Sequence, residues 1–129
     1  MPSAKREFGD IGEREAESFL LKNGYRILDR NYRIKNLGEI DLIGEKSRRL
    51  TFFEVKTRDL KHDLNFPIGF SINEKKRRNL KRICQLYLND KKYPPSKEWQ
   101  VDAIFVKVDF DNDSHSIEHL ENILWERYY

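Results

Sequence analysis

Two acids and a lysine, Asp41, Glu54 and Lys56, lie inside two neighbouring apolar segments of this chain. Carboxylates in such segments are costly unless a cation or a proton compensates their charge. Mg²⁺ prefers oxygen ligands and usually takes one or two protein carboxylates, with water and substrate phosphate completing its shell. A metal bound in this way acidifies a water molecule, and a nearby lysine can orient that water or neutralise developing charge. These residue types are therefore those of phosphodiester hydrolysis.

The two apolar segments are predicted to be β-strands joined as a hairpin. Residues 38–44 are bounded by glycines, and residues 50–57 are rich in β-branched and aromatic side chains. The polar stretch 45–49 between them suits a hairpin loop. A hairpin would place the two strands side by side.

Alternation along these strands decides which side chains can converge. Alternate residues of a strand share a face, so Glu39 should lie beside Asp41, and Glu54 beside Lys56. In a hairpin all four would meet on one surface, with Glu39 either at the rim or as an outer partner of Asp41. The opposite face would carry the apolar neighbours Ile40, Leu42, Phe53 and Val55.

A plainer interpretation exists for part of this pattern. An acid and a lysine two residues apart often occur on exposed strands as solvated residues or cross-strand ion pairs. That interpretation would be favoured for Glu54 and Lys56 taken alone. The acid of the adjacent strand, Asp41, favours the metal site.

Helices and further strands are predicted around the hairpin. Periodicity and turn residues predict a helix over 10–23, a strand over 25–34, an irregular loop over 59–70, a helix over 73–88 and a strand over 101–108. The segment 117–125 fits either a helix or a strand followed by a turn. The predicted order is α-β-β-β-α-β, in one domain spanning residues 1–129.

Basic residues are concentrated in one segment although the formal net charge is only +3. The second predicted helix carries most of them: Lys75, Lys76, Arg77, Arg78, Lys81 and Arg82. Such a run is as typical of a solvated helix face as of a phosphate-binding surface. The candidates for nucleic-acid contact are Lys75, Lys76, Arg78 and, just past the second strand, Arg58, with Lys75 or Lys76 the best placed to reach the acids.

Several classes of site and location are excluded or disfavoured. The single cysteine, Cys84, rules out a disulfide within the chain and a Cys-rich zinc site, and its apolar neighbours predict a buried thiol. The histidines His62, His115 and His119 show no zinc pattern and are interpreted as surface or packing residues. Without a long apolar stretch or a signal-peptide pattern, a cytoplasmic location and no membrane partner are expected.

The motif pair Gly38-Glu39-Ile40-Asp41-Leu42-Ile43 and Phe53-Glu54-Val55-Lys56-Thr57-Arg58 resembles the YraN (UPF0102) family of small bacterial proteins. The resemblance covers most of the chain, and it includes Gly12-Glu13, Ala16, Gly24-Tyr25, Asn31-Tyr32-Arg33 and Asp102. One departure is Gln100, near which the family often has a basic residue. The family is related to restriction-endonuclease-like nucleases and to archaeal Holliday-junction resolvases.

The resemblance implies an α/β fold with a restriction-endonuclease-like core, in which helices flank a central mixed β-sheet. It implies that Asp41 and Glu54 are metal ligands and that Lys56 is the catalytic lysine. It also implies a further carboxylate from Glu13 in the first helix and a further ligand in the Val55 carbonyl. The implied cofactor is Mg²⁺, with Mn²⁺ as the alternative.

Three functions stay open at this point. The favoured one is a metal-dependent endonuclease acting on nucleic acid, with DNA preferred to RNA. The alternative is a nucleic-acid-binding module on a nuclease-like fold without catalysis. The third is a protein-interaction domain, supported only by the terminal aromatic residues Trp125, Tyr128 and Tyr129. The resolvases act as dimers, so the resemblance leaves a homodimer open.

Overall fold

The computed structural model describes residues 4–59, 61 and 72–124, with side chains from residue 8 onward. In these ranges the elements are α1 (Ala4–Lys22), β1 (Arg26–Ile34), β2 (Gly38–Lys46), β3 (Arg49–Asp59), α2 (Glu74–Asp90), β4 (Trp99–Asp109) and β5 (Ser114–Leu120). Neither helix is long and apolar enough to cross a membrane.

The five strands form one mixed sheet in the order β1-β2-β3-β4-β5. Neighbouring strands are antiparallel, except that β3 and β4 are parallel. A parallel pair needs a long crossover connection, and α2 lies in the chain between these two strands. The predicted α/β fold, with a central mixed sheet flanked by helices, is therefore confirmed, and so is the β2–β3 hairpin.

The last strand decides between the two structures predicted for the segment 117–125. Ile117 pairs with Val106, and His119 pairs with Ile104, so this part of the chain extends the sheet. The order is thus α-β-β-β-α-β-β, one strand longer than predicted. The helical spacing of Ile117, Leu120 and Leu124 is outweighed by pairing with a largely buried strand.

The helices begin and end close to the predicted positions, with one exception. Helix α1 starts at Ala4, six residues before the predicted start. Helix α2 starts after Asn73, whose side chain accepts a hydrogen bond of 2.7 Å from the Lys76 N–H. An Asn at this position satisfies one of the free backbone donors of the first turn.

Each helix covers one face of the sheet. On one face α2 packs with Leu80, Ile83, Cys84 and Tyr87 against a cluster that includes Phe52. Burial of the Cys84 thiol is as predicted. On the other face α1 packs against a second cluster: Ala16, Leu20, Leu42, Phe53, Ile104, Val106 and Val108.

Helix α1 approaches β3 very closely at Gly12. A Cβ atom at this position would lie 1.6 Å from Thr57 Oγ1, so only glycine allows the contact. The close approach brings the next residue, Glu13, near the strands that carry the predicted site.

Some predictions concern residues outside the described ranges. Of the predicted loop 59–70, Asp59 ends β3 and Lys61 lies in a turn, and the remaining residues lie outside the description. His62 and the aromatic residues of the C-terminus (Trp125, Tyr128 and Tyr129) also lie outside it.

Candidate functional site

The site centres on the position where the pairing of β2 with β3 ends. The described pairs run from Lys46↔Arg49 to Leu42↔Phe53 and stop there, although both strands continue. One residue further, Asp41 Oδ2 accepts a hydrogen bond of 2.7 Å from the Val55 N–H. A side-chain carboxylate thus supplies the acceptor that a backbone carbonyl supplies elsewhere in the ladder.

The carboxyl group of Asp41 is held in an environment that disfavours its charge. Burial raises its pKa to about 7; the hydrogen bond from Val55 opposes this, and the nearby charges of Glu54, Glu13 and Glu39 add to it. Near neutral pH this carboxyl therefore needs a proton or a cation.

Glu54 is a buried acid with an incomplete set of partners. Its side chain lies on β3, and the residue is 8% exposed. Oε1 accepts a hydrogen bond of 2.8 Å from Lys76 Nζ and lies 3.4 Å from Lys56 Nζ. Oε2 is buried and has no hydrogen-bond partner among the described residues. An oxygen in this state is costly unless a cation or a water molecule contacts it.

Lys76 reaches these acids from the first turn of α2. Burial acts against its charge, but the hydrogen bond and the attraction of Glu54 raise its pKa overall, and Asp41 adds to the effect. Lys75 and Lys76 line a cavity of about 440 Å³ together with Glu39, Asp41 and Glu54. The cavity therefore has an acidic wall from the strands and a basic wall from the helix.

The other basic candidates lie further from the acids. Arg78 is exposed on α2 and is outside the lining of this cavity. Arg58 is exposed two residues beyond Lys56, and its guanidinium donates to the Thr57 carbonyl. Of the four predicted contacts for nucleic acid, Lys75 and Lys76 are thus the two beside the acids.

The first helix contributes Glu13 to the same electrostatic environment. Burial raises the pKa of Glu13, and the charges of Glu39 and Asp10 raise it further. Glu13 itself lines a different cavity, of about 670 Å³ on the α1 side, but its charge also raises the pKa of Asp41. Glu15 instead lies 2.8 Å from His115 on β5. Glu13 and Glu15 have equal claims by spacing alone, but the structure gives them different surroundings.

Glu39 lies at the edge of the site and is paired. It lines the cavity, and it accepts a hydrogen bond of 2.9 Å from Arg33 on β1. The charge of Glu39, like that of Glu13, raises the pKa of Asp41.

The predicted alternation is wrong at Ile40. Leu42, Phe53 and Val55 do pack on the α1 side, whereas Ile40 belongs to the cluster on the α2 side. Alternation is interrupted at Asp41, whose side chain reaches across to the backbone of β3. On β1, Asn31 lies opposite this position and has a φ of 52°, so both strands depart from regular geometry here.

A second polar cluster lies on the sheet face covered by α1 and includes His119, which was interpreted from the sequence as a surface or packing residue. Asp102 is fully buried, and its Oδ2 lies 2.7 Å from His119 Nε2. Its Oδ1 accepts hydrogen bonds from the Gln100 side chain and the Asn122 N–H, each of 2.8 Å. Ligand atoms of Asp102, His119 and Glu121 all lie within 4.8 Å of one another, a group that could hold a metal ion.

The sequence contained a signal for Asp102 but not for its partner. Asp102 interrupts a run of apolar residues, and a buried carboxylate requires partners. Its partner His119 follows 17 residues later in a segment with two competing predictions, so the pair itself was missed.

Comparison with known families gives one extended match. The model of the family described as "Uncharacterised protein family UPF0102" matches residues 12–106. A UPF0102 protein of Caldicellulosiruptor saccharolyticus is 37% identical over 121 residues, which are 92% of this chain and 97% of that protein. A UPF0102 protein of Clostridium tetani is 36% identical over 122 residues, or 95% and 97% of the two chains.

Among solved structures, SfsA of Pyrococcus furiosus in complex with Ca²⁺ shows a distant similarity. The sequence identity is 18%, the TM-score is 0.39, and the match covers 91% of this chain. It covers 63% of the SfsA chain, so this chain spans less than two thirds of that structure.

Proposed function

The chain belongs to the uncharacterised protein family UPF0102, and we propose that this member is a metal-dependent endonuclease hydrolysing phosphodiester bonds in nucleic acid, with DNA as the expected substrate. The observation that carries the proposal is the buried Glu54 beside the partly buried Asp41, with Lys56 Nζ 3.4 Å from Glu54 Oε1. Two acids and a lysine at the end of a strand pairing form the set that metal-assisted phosphodiester hydrolysis needs.

The donor atoms of this pair suit a hard divalent cation. Asp41 and Glu54 offer only oxygen, and the charge of Glu54 raises the pKa of Asp41. Glu54 Oε2 is also buried without a partner in the described part of the chain. Mg²⁺, or Mn²⁺ as the alternative, would compensate the charge of Asp41 and give Glu54 Oε2 a partner. The Val55 carbonyl and Glu13 would be further ligands.

The bound ion would supply an acidified water and neutralise charge on the scissile phosphate. The chain's own residues have separate tasks. The hydrogen bond from the Val55 N–H holds the Asp41 carboxylate in one orientation. Lys56 orients the attacking water or neutralises the charge that develops on the phosphate.

The basic wall of the cavity would hold the substrate backbone. Lys75 and Lys76 line the cavity together with the acids, and Arg78 and Arg58 would extend the basic surface beyond it. Lys76 contacts Glu54 at 2.8 Å, so the arrival of a metal ion at Glu54 would release this ammonium group for a phosphate oxygen.

The proposal is tested by metal binding and cleavage measured on matched variants. Calorimetric titration with Mg²⁺ and with Mn²⁺ should show binding to the wild type that is lost in Asp41→Asn and Glu54→Gln. Glu45→Gln is the control, because Glu45 lies on the same strand as Asp41 but pairs with Lys97, outside the site.

The same proteins are then assayed on duplex, nicked, branched and single-stranded DNA and on RNA. Cleavage by the wild type and by Glu45→Gln, but not by the two site variants, is the expected result. Cleavage that persists in both site variants would sink the assignment of these residues. No cleavage of any substrate by the wild type with either metal would sink the enzyme itself.

One observation favours a nucleic-acid-binding module without catalysis as the second candidate. Lys56 and Lys76 both lie near Glu54 Oε1, so two cations already compensate this acid without a metal. Binding to DNA that weakens steeply with salt, with no cleavage under either metal, would support that function.

A further inference from the structure

The second polar cluster lies on the sheet face opposite Lys76 and α2. Asp102 is in register with Phe53 of β3, and His119 is in register with Ile104 of β4. Both of these partners belong to the apolar cluster under α1. We propose that Asp102, His119 and Glu121 form a second metal site, which takes Zn²⁺ or a similar borderline transition metal and joins β4 to β5.

The distances leave little rearrangement for a metal ion to enter. Ligand atoms of the three residues lie within 4.8 Å of one another, and His119 Nε2 lies 2.7 Å from Asp102 Oδ2. Two ligand atoms at zinc-ligand distances in a tetrahedral site lie roughly 3.3 Å apart. The His119 and Asp102 atoms would therefore separate by about 0.6 Å, and the most distant pair of ligand atoms would approach by up to about 1.5 Å.

The two inner ligands are already oriented by their surroundings. Asp102 Oδ1 is occupied by the donors of Gln100 and Asn122, so Oδ2 is the oxygen next to His119. The imidazole of His119 lies among three aromatic rings, those of Phe19, Tyr25 and Phe53, with centroid distances of 6.1, 6.4 and 5.9 Å. Outer contacts of this kind hold metal ligands in a productive orientation.

Two features favour a bound ion at this position: the buried carboxylate of Asp102 and a buried amide oxygen without a hydrogen-bond partner among the residues described. Asp102 is fully buried, and a buried carboxylate needs a cationic partner. Imidazole supplies a charge only when protonated, whereas a metal ion supplies a permanent one. In addition, Asn122 Oδ1 is buried without a partner in the described residues. The backbone N–H of the same residue donates to Asp102 Oδ1, so this oxygen belongs to a residue that contacts the cluster.

The mixed donor set selects the metal. One imidazole nitrogen and two carboxylates suit Zn²⁺, whereas Mg²⁺ prefers an all-oxygen shell. The ligands come from β4, the end of β5 and the residue that follows it, so the ion would tie the sheet edge to the chain leaving it. This site is independent of the acidic site proposed for catalysis.

The test is calorimetric titration of the full chain with Zn²⁺. In a second measurement Co²⁺ takes the place of Zn²⁺, and the visible absorption spectrum is recorded. The acidic site is removed first, in the double variant Asp41→Asn with Glu54→Gln, so that only the second site is measured. In this background we expect one Zn²⁺ per chain and the intense visible Co²⁺ bands of a four-coordinate site. We also expect Zn²⁺ to raise the unfolding temperature.

Single changes in that background identify the ligands. His119→Gln should lower the Zn²⁺ affinity at least about 100-fold and abolish the visible Co²⁺ bands. Glu121→Gln, at an exposed position, should lower it about 10-fold. His115→Gln is the matched control, since His115 lies on the same strand and pairs with Glu15 instead.

Two outcomes would overturn the site. One is the absence of Zn²⁺ binding in the double variant, although its circular dichroism spectrum is that of the wild type. The other is an equal affinity in the background protein, His119→Gln and Glu121→Gln. Either result would leave Asp102 and His119 as a hydrogen-bonded pair that stabilises the sheet edge.

Discussion

The Val55 N–H donates a hydrogen bond of 2.7 Å to Asp41 Oδ2 where the pairing of β2 with β3 ends. The side chain of Asp41 thus has a structural task besides any role toward a metal. Alanine at this position would leave a strand N–H without its acceptor, which costs about 1–3 kcal/mol if the group stays buried. Asparagine keeps the acceptor oxygen and removes the charge, so it separates chemistry from folding.

The raised pKa of Asp41 predicts how the stability of the metal-free protein depends on pH. The pKa is about 7 in the folded chain against an ordinary 3.8, so the folded state holds more protons between these values. The resulting contribution to stability is complete below the ordinary value and is lost as the pH rises through about 7.

Urea unfolding of the wild type and Asp41→Asn measures this effect. Relative to the variant, the wild type should lose on the order of 2 kcal/mol between about pH 5 and pH 8.5. Saturating Mg²⁺ should remove the loss, because the cation compensates the charge. A difference between the two proteins that does not change with pH would show that Asp41 titrates normally.

Glu13 and Glu15 provide a matched pair on one helix. Glu13 acts electrostatically on Asp41, whereas Glu15 contacts His115. Glu13→Gln should therefore weaken Mg²⁺ binding about 10-fold, and Glu15→Gln should leave it unchanged, in calorimetric titrations. Equal affinities in the two variants would remove Glu13 from the ligand set.

Lys56 is expected to act on the cleavage rate rather than on metal binding. Its ammonium lies 3.4 Å from Glu54 Oε1, close enough to act on a phosphate or water held at that acid. Lys56→Met should lower single-turnover cleavage about 10²–10³-fold with no loss of Mg²⁺ affinity. A variant that cleaves at the wild-type rate would assign Lys56 to charge balance alone.

Lys76 is expected to compete with the metal and to bind phosphate. Because Lys76 Nζ donates to Glu54 Oε1, Lys76→Met should raise the Mg²⁺ affinity of the free protein. The same change should remove about one phosphate contact. The slope of log DNA affinity against log salt concentration should therefore become shallower by about one. Arg78→Met is the control for the metal effect, since Arg78 lies outside the cavity. Lower Mg²⁺ affinity in Lys76→Met would contradict the competition.

The close contact of α1 with β3 predicts opposite effects at two glycines of one helix. A Cβ at Gly12 would lie 1.6 Å from Thr57 Oγ1, whereas a Cβ at Gly9 would have nothing within 4 Å. Gly12→Ala should destabilise the protein by about 1–3 kcal/mol, and Gly9→Ala should stabilise it by up to about 1 kcal/mol. Thermal unfolding of both variants measures this, and equal shifts would refute the close contact.

The sequence by itself determined the strands β1 to β4, the β2–β3 hairpin and the placement of Asp41 and Glu54 within its two strands. Alternation with a period of two is a local property, and it was enough to put Glu54 and Lys56 on one face. The cost of burying charge in apolar strands is local as well, and it indicated a cation at Asp41. Local patterns gave the order of the elements up to β4, whereas the mixed α/β sheet was expected from the resemblance to the family.

The tertiary structure alone decided which distant groups meet. Lys76 lies 22 residues from Glu54 and reaches it only because α2 packs on the face of β3 that carries the acid. His119 meets Asp102 only because β5 adds to the sheet in one register. Ile40 changes face next to Asp41, whose carboxylate accepts a hydrogen bond from the Val55 N–H of the neighbouring strand. Such contacts depend on packing between elements far apart in the chain, and no local pattern encodes them.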